Sequence, residues 1–356
     1  MKRFIFSAIA LMVAVTSCTE SGLIDTPDFY GKAIVFDTYI GKNPITKAQN
    51  YGADQLKGTD SQSNLTPGAQ ICAFYQNPST NKVDYGSAYM DGRLIWKEDA
   101  WAYQTQNNGN WADEETYWPI GYNLAFVAYS LNAETEEAIT NQSADKTQFN
   151  FTVKDAVASQ TDLLATPLTP VSENPNGDTQ VNLQFYHLLS RVGFKVLATN
   201  ATNATISISS VKLCGAFPRV GYVDLTSKVE PARPEIVPNT SSNIAKEYNL
   251  FASGESFSVV TSACATTAQP IFGDVESNRY MMLMPGPQTN ASIVVEYSLS
   301  NENVNHTATV PLASTWNFEA GKAYEFILKI STATIEFSAE VVEGSWDEQT
   351  PEEKPL

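Results

Sequence analysis

A chain of 356 residues is too long for one ordinary β-sandwich and fits two domains of roughly 150 residues each. Its 43% apolar content, with 17 Phe, 16 Tyr and 6 Trp, supports packed cores and excludes a disordered chain. The net charge of −17 repels nucleic acid and anionic lipid headgroups, so we expect no nucleic-acid partner.

The N-terminus predicts a lipoprotein signal peptide over residues 1–17. Two basic residues precede an apolar run over residues 4–15, which is too short to span a bilayer. The run ends in a Thr-Ser-Cys sequence at Cys18, as in bacterial lipoproteins that are cut before a cysteine. We expect Cys18 to carry lipid such as palmitate, because several acyl chains anchor a protein that one chain holds only marginally. The alternative is an ordinary secretory peptide followed by an incidental cysteine.

The next segments alternate between predicted strands and polar loops. A polar leash over residues 18–30 leads to a first predicted strand over residues 33–40. Residues 41–68 are rich in Pro, Gly, Asn, Asp and Ser, which predicts a long loop. Residues 122–131 form an unbroken apolar run, typical of a strand buried on both faces. Residues 135–146 are acidic and polar, and predict a short helix or a loop.

A boundary between two domains is predicted at residues 166–178, which contain three prolines and an Asn-Gly pair. We expect an N-terminal sandwich over residues 31–170, a C-terminal sandwich over residues 180–346 and an acidic tail over residues 347–356. Many short strands separated by regular turns predict an all-β chain.

Residues 180–199 hold two predicted strands whose apolar side chains have opposite parity. Strand side chains alternate faces with period 2, so the parity change requires an extra residue or a turn near Ser190 and Arg191. A similar shift predicts a bulge near Ser209 and Ser210. The first strand presents Val181, Leu183, Phe185, His187 and Leu189, and the second presents Val192, Phe194, Val196 and Ala198.

No catalytic, cofactor-binding or metal-binding pattern occurs, so we expect neither enzyme activity nor a cofactor. The chain has two His and lacks the HExxH, phosphate-loop and GxSxG motifs. His187 lies on an apolar strand face, which predicts a core histidine that is hydrogen-bonded to the backbone. Cys72, Cys214 and Cys264 each lie in an apolar setting and are interpreted as small buried hydrophobic residues.

A set of segments occurs in a characteristic order along the chain: residues 117–119 running into 124–129, residues 162–165, residues 185–194, Trp316 with residues 320–324, and the closing strand to Trp346. Together these segments resemble the fimbrillin family, the lipoprotein subunits of type V pili in Gram-negative anaerobes. The resemblance implies two transthyretin-like β-sandwiches in tandem, an outer-membrane lipid anchor and a location in a surface-exposed fimbrium. It also implies assembly with other pilus subunits by donor-strand exchange, with host or bacterial surface ligands as further candidate partners of an adhesive fibre.

The family resemblance also points to a maturation site. In this family a protease cuts after an Arg that follows the first strand, and the freed groove accepts a strand from another subunit. Here no Arg lies between Cys18 and Arg93, and Lys47 stands in a Thr-Lys-Ala sequence where such proteins often have Thr-Arg-Ala. Either the chain is cut after Lys47, or it stays uncut as an anchor or accessory subunit. Residues 335–341 alternate cleanly and are the best candidate donor strand.

The main rival interpretation is a glycan-binding surface lipoprotein of a polysaccharide-uptake system. It rests on four tryptophans between residues 96 and 118, because aromatic platforms bind sugars. Cross-strand aromatic packing explains the same cluster. A flat, solvent-facing Trp pair would favour the glycan binder, whereas buried tryptophans favour the pilus subunit.

Overall fold

The structure is a computed structural model. Cys18, Lys47 and the predicted leash lie outside the residues that it describes. These are residues 32–40, 56–57, 68–131, 133–173, 179–198, 204–229, 232–272, 279–302, 304–313, 315–330, 338–345 and 352–355.

The described part of the chain is almost entirely β, which confirms the predicted fold class. The tandem arrangement of two transthyretin-like domains stays a prediction. A short α-helix, α1 (Ala133–Ala138), overlaps the start of the acidic segment over residues 135–146, for which a short helix or a loop was predicted. The strands are β1 Val35–Ile40, β2 Ala69–Gln76, β3 Val83–Lys97, β4 Ala100–Asn107, β5 Asn110–Asp113, β6 Asn123–Ser130, β7 Ile139–Thr140, β8 Gln148–Thr152, β9 Leu164–Ala165, β10 Thr169–Val171, β11 Gln180–His187, β12 Ser190–Ala198, β13 Thr205–Pro218, β14 Val220–Asp224, β15 Ile236–Pro238, β16 Ile244–Asn249, β17 Phe257–Val260, β18 Gln269–Pro270, β19 Met281–Leu283, β20 Gly286–Thr289, β21 Ser292–Leu299, β22 Asn305–Pro311, β23 Thr315–Phe318, β24 Lys322–Ile330, β25 Ser338–Ser345 and β26 Glu352–Pro355.

A nine-stranded sheet contains the N-terminal strands in the order β1-β11-β9-β6-β2-β3-β4-β5, with β10 also paired to β6. Its central strand β6 is buried on both faces, as predicted from the apolar run. Leu124, Phe126 and Ala128 face one core, and the alternate residues face another. The sheet therefore separates two hydrophobic cores.

The remaining strands form four smaller sheets. Their orders are β18-β12-β24-β25-β26 with β19 on β12, β16-β13-β21-β22 with β17 on β13, β15-β14-β8-β7, and β20-β23. The register of β13 against β21 shifts between Ile208 and Ser210, which confirms the predicted bulge.

Strands from one side of the predicted boundary at residues 166–178 pair with strands from the other side. β11 follows that boundary but lies in the nine-stranded sheet, whereas β8 precedes it and pairs with β14 over five residue pairs. The chain enters the next sheet only at β12, after the parity change. The limits of the two domains stay a prediction, and the sheets themselves do not divide there.

The parity change falls at Leu188 and Leu189, which separate β11 from β12 and are both fully buried. The N–H of Gly321 donates to the carbonyl of Leu189 over 2.8 Å, and Ser190 Oγ donates to the carbonyl of Glu319 over 2.7 Å. The first bond satisfies the backbone carbonyl of Leu189 at the point where the chain passes from one sheet to the other, and the second holds the loop before β24 to the Ser190 side chain. Phe185, Leu189, Phe194 and Val196 are all buried, as predicted.

Two clusters of buried residues form the cores. The small core lies under one face of the nine-stranded sheet and includes Phe36, Leu56, Trp118, Phe126 and Leu183. The large core joins the opposite face of that sheet to the C-terminal strands. A single large core therefore connects the two halves of the chain, and the small core belongs to the N-terminal half.

We predict that Phe194→Ala lowers the free energy of unfolding by about 3–5 kcal/mol, because Phe194 is buried and stacks on Phe326 at 5.6 Å. Urea denaturation followed by circular dichroism measures the loss. Val237→Ala is the control, since Val237 is 60% exposed and should change stability by less than about 0.5 kcal/mol. Equal effects of the two substitutions would contradict the described packing.

Candidate strand-exchange site

β1 lies at the edge of the nine-stranded sheet and pairs in parallel with β11. The six residue pairs run from Val35 with Gln180 to Ile40 with Phe185. Only the last two residues of β11 pair with β9. Most of the described sheet pairing of β11 therefore depends on β1.

The start of β1 is tied to the segment that follows β5. Ala33 forms an antiparallel bridge with Tyr117, and the N–H of Trp118 donates to the carbonyl of Lys32 over 3.1 Å. The N–H of Ile34 donates to the carbonyl of Thr116 over 2.8 Å. β1 thus connects β11 at one end of the sheet to the segment after β5 at the other end. The sheet therefore curves around the small core.

One face of β1 closes the small core. Phe36 is 5% exposed, and its ring meets that of Phe126 edge-on at a centroid distance of 6.0 Å. Ile34 packs against the same core, whereas Val35 on the opposite face is 49% exposed. This confirms the predicted shared parity of Ile34 and Phe36; the side chain of Ile40 lies outside the described residues.

The residues beneath β1 form an apolar floor, which we call the β1 groove. Loss of β1 would expose this floor and leave much of β11 without its ladder partner, and both changes are unfavourable in water. An extended strand of alternating apolar residues is the ligand that would restore both. The floor consists of Val181, Leu183 and Phe185 of β11 together with Trp118 and Phe126, all fully buried.

The loop after β1 returns to the same core at residues 56–57. Leu56 is fully buried in the small core, and the ammonium group of Lys57 lies 3.8 Å from the ring centroid of Trp96. This contact is a cation–π interaction on the outer side of the core. The part of the loop that lies between Lys47 and β2 is therefore held against the sheet at residues 56–57.

The four tryptophans of the cluster pack within the protein. Trp118 and Trp101 are buried, and Trp101 meets Trp96 edge-on at 5.5 Å. The guanidinium of Arg93 covers Trp111 at 4.3 Å. None of the four is a flat, solvent-facing platform, and this observation favours the packing interpretation.

His187 forms a buried pair with a carboxylate, where the sequence predicted a backbone partner. Its Nδ1 lies 2.5 Å from Oδ2 of Asp162, and both side chains are at most 2% exposed. The carbonyl of His187 accepts from Arg233 over 2.8 Å. No spacing rule links Asp162 to His187 in the sequence, because the contact depends on the pairing of β9 with β11.

Arg191 lies beyond the same junction and is largely buried, with its guanidinium 4.5 Å from the ring centroid of Tyr280. Burial lowers the pKa of Arg191, and the nearby Tyr280, Glu325 and Asp162 oppose that shift. A buried cation held by an aromatic face and carboxylates fixes the start of β12.

The described part of the predicted donor segment lies one strand in from the edge of the six-stranded sheet. Residues 338–341 belong to β25, which pairs antiparallel with β24, and β26 covers its outer side over four residue pairs. Residues 335–337 lie outside the described part of the chain, as do Cys18 and Lys47. No group of three or more His, Cys, Asp or Glu that could hold a metal occurs among the described residues. Within them, no helix is long and apolar enough to cross a membrane.

A family model described as fimbrillin-like matches residues 59–345, so the chain belongs to the fimbrillin-like family. The fold is similar to that of a fimbrial protein from Bacteroides vulgatus, with a TM-score of 0.57 and 16% identity over 88% of this chain and 99% of that one. A candidate cell adhesion protein from Bacteroides ovatus has a TM-score of 0.50 and 14% identity over 87% and 97% of the two chains. No curated protein sequence matches this chain.

We predict that Phe36→Ala weakens the docking of β1 by about 3 kcal/mol, because the ring fills the small core. Hydrogen exchange at the β1 amides should quicken accordingly. The matched control is Val35→Ala on the same strand, whose exposed side chain should change exchange little. If both substitutions quicken exchange equally, β1 does not close the core as described.

Proposed function

We propose that this protein is a cell-surface fimbrial subunit or accessory protein that assembles by donor-strand exchange and supports cell adhesion. Its place in the fimbrillin-like family supports the fimbrial role. The observation that carries the exchange step is β1, an edge strand that covers an apolar groove and pairs mainly with one neighbour. Such a strand can be replaced by an equivalent strand of another subunit without repacking the sheet.

The two separate cores favour this mechanism. Removal of β1 uncovers the small core, to which Phe36 contributes, but it takes no residue from the large core. The C-terminal strands keep their packing, and so do the faces of β2 and β6 that line the large core. The subunit can therefore wait for a donor strand in a folded state.

The donor that we propose from this sequence is the segment over residues 335–341. It alternates Ile335, Phe337, Ala339 and Val341 with polar residues. β1 likewise turns Ile34 and Phe36 toward the core, where its third inward residue is the polar Thr38. Its release would separate β25 from its two neighbours, β24 in the interior of the six-stranded sheet and β26 at the edge. The acidic tail over residues 347–356 must then move with it.

Maturation at Lys47 would free β1 while leaving the rest of the loop attached. Leu56 stays buried and Lys57 stays on Trp96, so the new N-terminal segment remains held to the small core. A cut after Lys47 breaks the covalent connection between β1 and the rest of the chain, so that β1 can leave. Without the cut, the protein acts as an anchor or accessory subunit.

We predict that a Lys-specific protease cuts the pure protein at Lys47 and spares Lys57, whose ammonium packs on Trp96. Cleaved protein should form ladders on a gel run without boiling. Lys47→Ala should abolish both events, deletion of residues 335–356 should abolish the ladder alone, and Lys57→Ala should preserve both. A cleaved protein that stays monomeric, with no cut at Lys47 on native cells, would rule out a stalk subunit.

We also propose that Cys18 carries the lipid anchor that delivers the protein to the outer membrane. The apolar run that ends in Thr-Ser-Cys supports this assignment.

We predict that Cys18→Ala removes fatty-acid labelling and shifts the protein out of the membrane fraction, since no acyl chain can then be attached. Cys72→Ala is the control, because Cys72 is buried in the large core and should leave labelling intact. Unchanged labelling of the Cys18→Ala protein would contradict the proposed anchor.

A further inference from the structure

A second concave site lies away from the β1 groove, between the β2–β3 turn and the loop before β6. We call it the tyrosine pocket. It is a depression of about 650 Å³ that is half open to solvent. Its lining residues are Tyr75, Asn77, Thr80, Lys82, Val83, Asp84, Pro119, Ile120 and Tyr122.

The apolar wall of the pocket is aromatic and exposed. The rings of Tyr75 and Tyr122 meet edge-on at 5.2 Å, and Tyr122 is 49% exposed. Ile120 beside them is 59% exposed. Exposed apolar side chains that line a concavity together mark a binding surface more clearly than scattered ones do. When two rings meet edge-on, the face of one ring is left free, and a ligand can stack on that face.

The opposite wall is polar and carries one charge of each sign. Neither Lys82 nor Asp84 forms an ion pair within the described part of the chain, and both are exposed. The Oδ1 of Asp84 accepts from the N–H of Gly86 over 3.0 Å, and its other oxygen is open to a ligand. A pocket with balanced charges and a hydroxyl from Thr80 suits a neutral ligand rich in hydroxyl groups.

Both loops of the pocket are preorganised. The side chain of Asn77 accepts from the N–H groups of Ser79 and Thr80 at 2.9 and 3.0 Å, which fixes the β2–β3 turn. Beneath the wall, Tyr89 packs edge-on against Tyr75 at 5.1 Å and donates to the carbonyl of Tyr117. Burial, and then the neighbouring Tyr75, raise the pKa of Tyr89 to about 12, so its hydroxyl stays a donor at neutral pH. A fixed pocket loses less entropy when it binds.

The strand pairing argues against an extended peptide as the ligand. The pocket lies at the end of β2, whose residues pair with β6 on one side and with β3 on the other. No open sheet edge borders it there, so a peptide strand would gain no ladder of backbone bonds. Ring stacking and side-chain hydrogen bonds remain as the means of recognition.

We propose that the tyrosine pocket binds a neutral oligosaccharide, with the C–H face of one sugar ring on the Tyr75–Tyr122 wall and sugar hydroxyls on Asn77, Lys82 and Asp84. This names the ligand class for the adhesive role proposed above. It does not require strand exchange, since every residue involved belongs to the folded subunit.

The test uses purified, unprocessed monomer, so its outcome is independent of cleavage and polymerisation. An array of neutral oligosaccharides, including manno-, malto-, cello- and N-acetyllactosamine series, is probed together with sialylated glycans and a peptide library. Calorimetry with soluble hits then gives the dissociation constants. We expect millimolar or tighter binding of at least one neutral oligosaccharide.

Tyr122→Ala should weaken that binding at least about tenfold, which corresponds to about 1.4 kcal/mol. Asp84→Asn should weaken it less. Tyr222→Ala is the matched control, because Tyr222 is a similarly exposed tyrosine (43%) on β14 outside the pocket, and it should leave binding within about twofold. Circular dichroism checks that each variant folds.

Three outcomes would overturn the proposal. They are no binding of any neutral oligosaccharide, equal losses for Tyr122→Ala and Tyr222→Ala, and binding confined to sialylated glycans or peptides. Glycan binding that persists in a variant unable to form ladders would uphold the pocket even if the proposed strand exchange fails.

Discussion

The backbone between β11 and β12 passes from one sheet to another at Leu188 and Leu189, and both side chains are fully buried as it does so. Neither sheet can supply ladder bonds at that point, so the backbone needs other partners. The N–H of Gly321, in the loop before β24, donates to the carbonyl of Leu189, and the N–H of Leu188 donates to the carbonyl of Leu163. The side-chain hydroxyl of Ser190 holds the same loop through the carbonyl of Glu319. Because the chain crosses here, β11 lies beside β1 in one sheet and β12 lies beside β24 in the next.

Segments that are far apart in the sequence meet around this crossing. The segment over residues 162–165 contributes β9, which pairs with the end of β11, and Asp162, which bonds His187. Residues 320–324 reach the same place from the C-terminal half. A buried His–carboxylate pair leaves little freedom in its neighbours, because either group would be costly to bury alone. Three of the segments that carry the family resemblance, residues 162–165, 185–194 and 320–324, therefore meet where the sheets join.

The separation of the two cores is compatible with the proposed strand exchange, because one core can stay packed while the other is uncovered. The large core holds most of the buried side chains and ties the halves together. The small core is closed by a single edge strand with few core-facing side chains. Elements with few buried contacts open most readily, so the strand proposed to leave is one that the fold holds through a limited area. The tyrosine pocket lies at the ends of β2 and β3 and uses neither the floor nor the edge of the β1 groove.

The sequence by itself determined the features that depend on local alternation. The all-β class, the doubly buried β6, the bulge after Ile208 and the inward face of β1 all follow from period 2 and from turn residues. Only the tertiary structure decided which strands are neighbours: β1 parallel to β11, β8 beside β14, and Leu56 in the small core. Those contacts join residues far apart in the chain, where alternation fixes the face of a strand but not its partner. The bond from Asp162 to His187 and the convergence of Tyr75 with Tyr122 were unpredictable for the same reason.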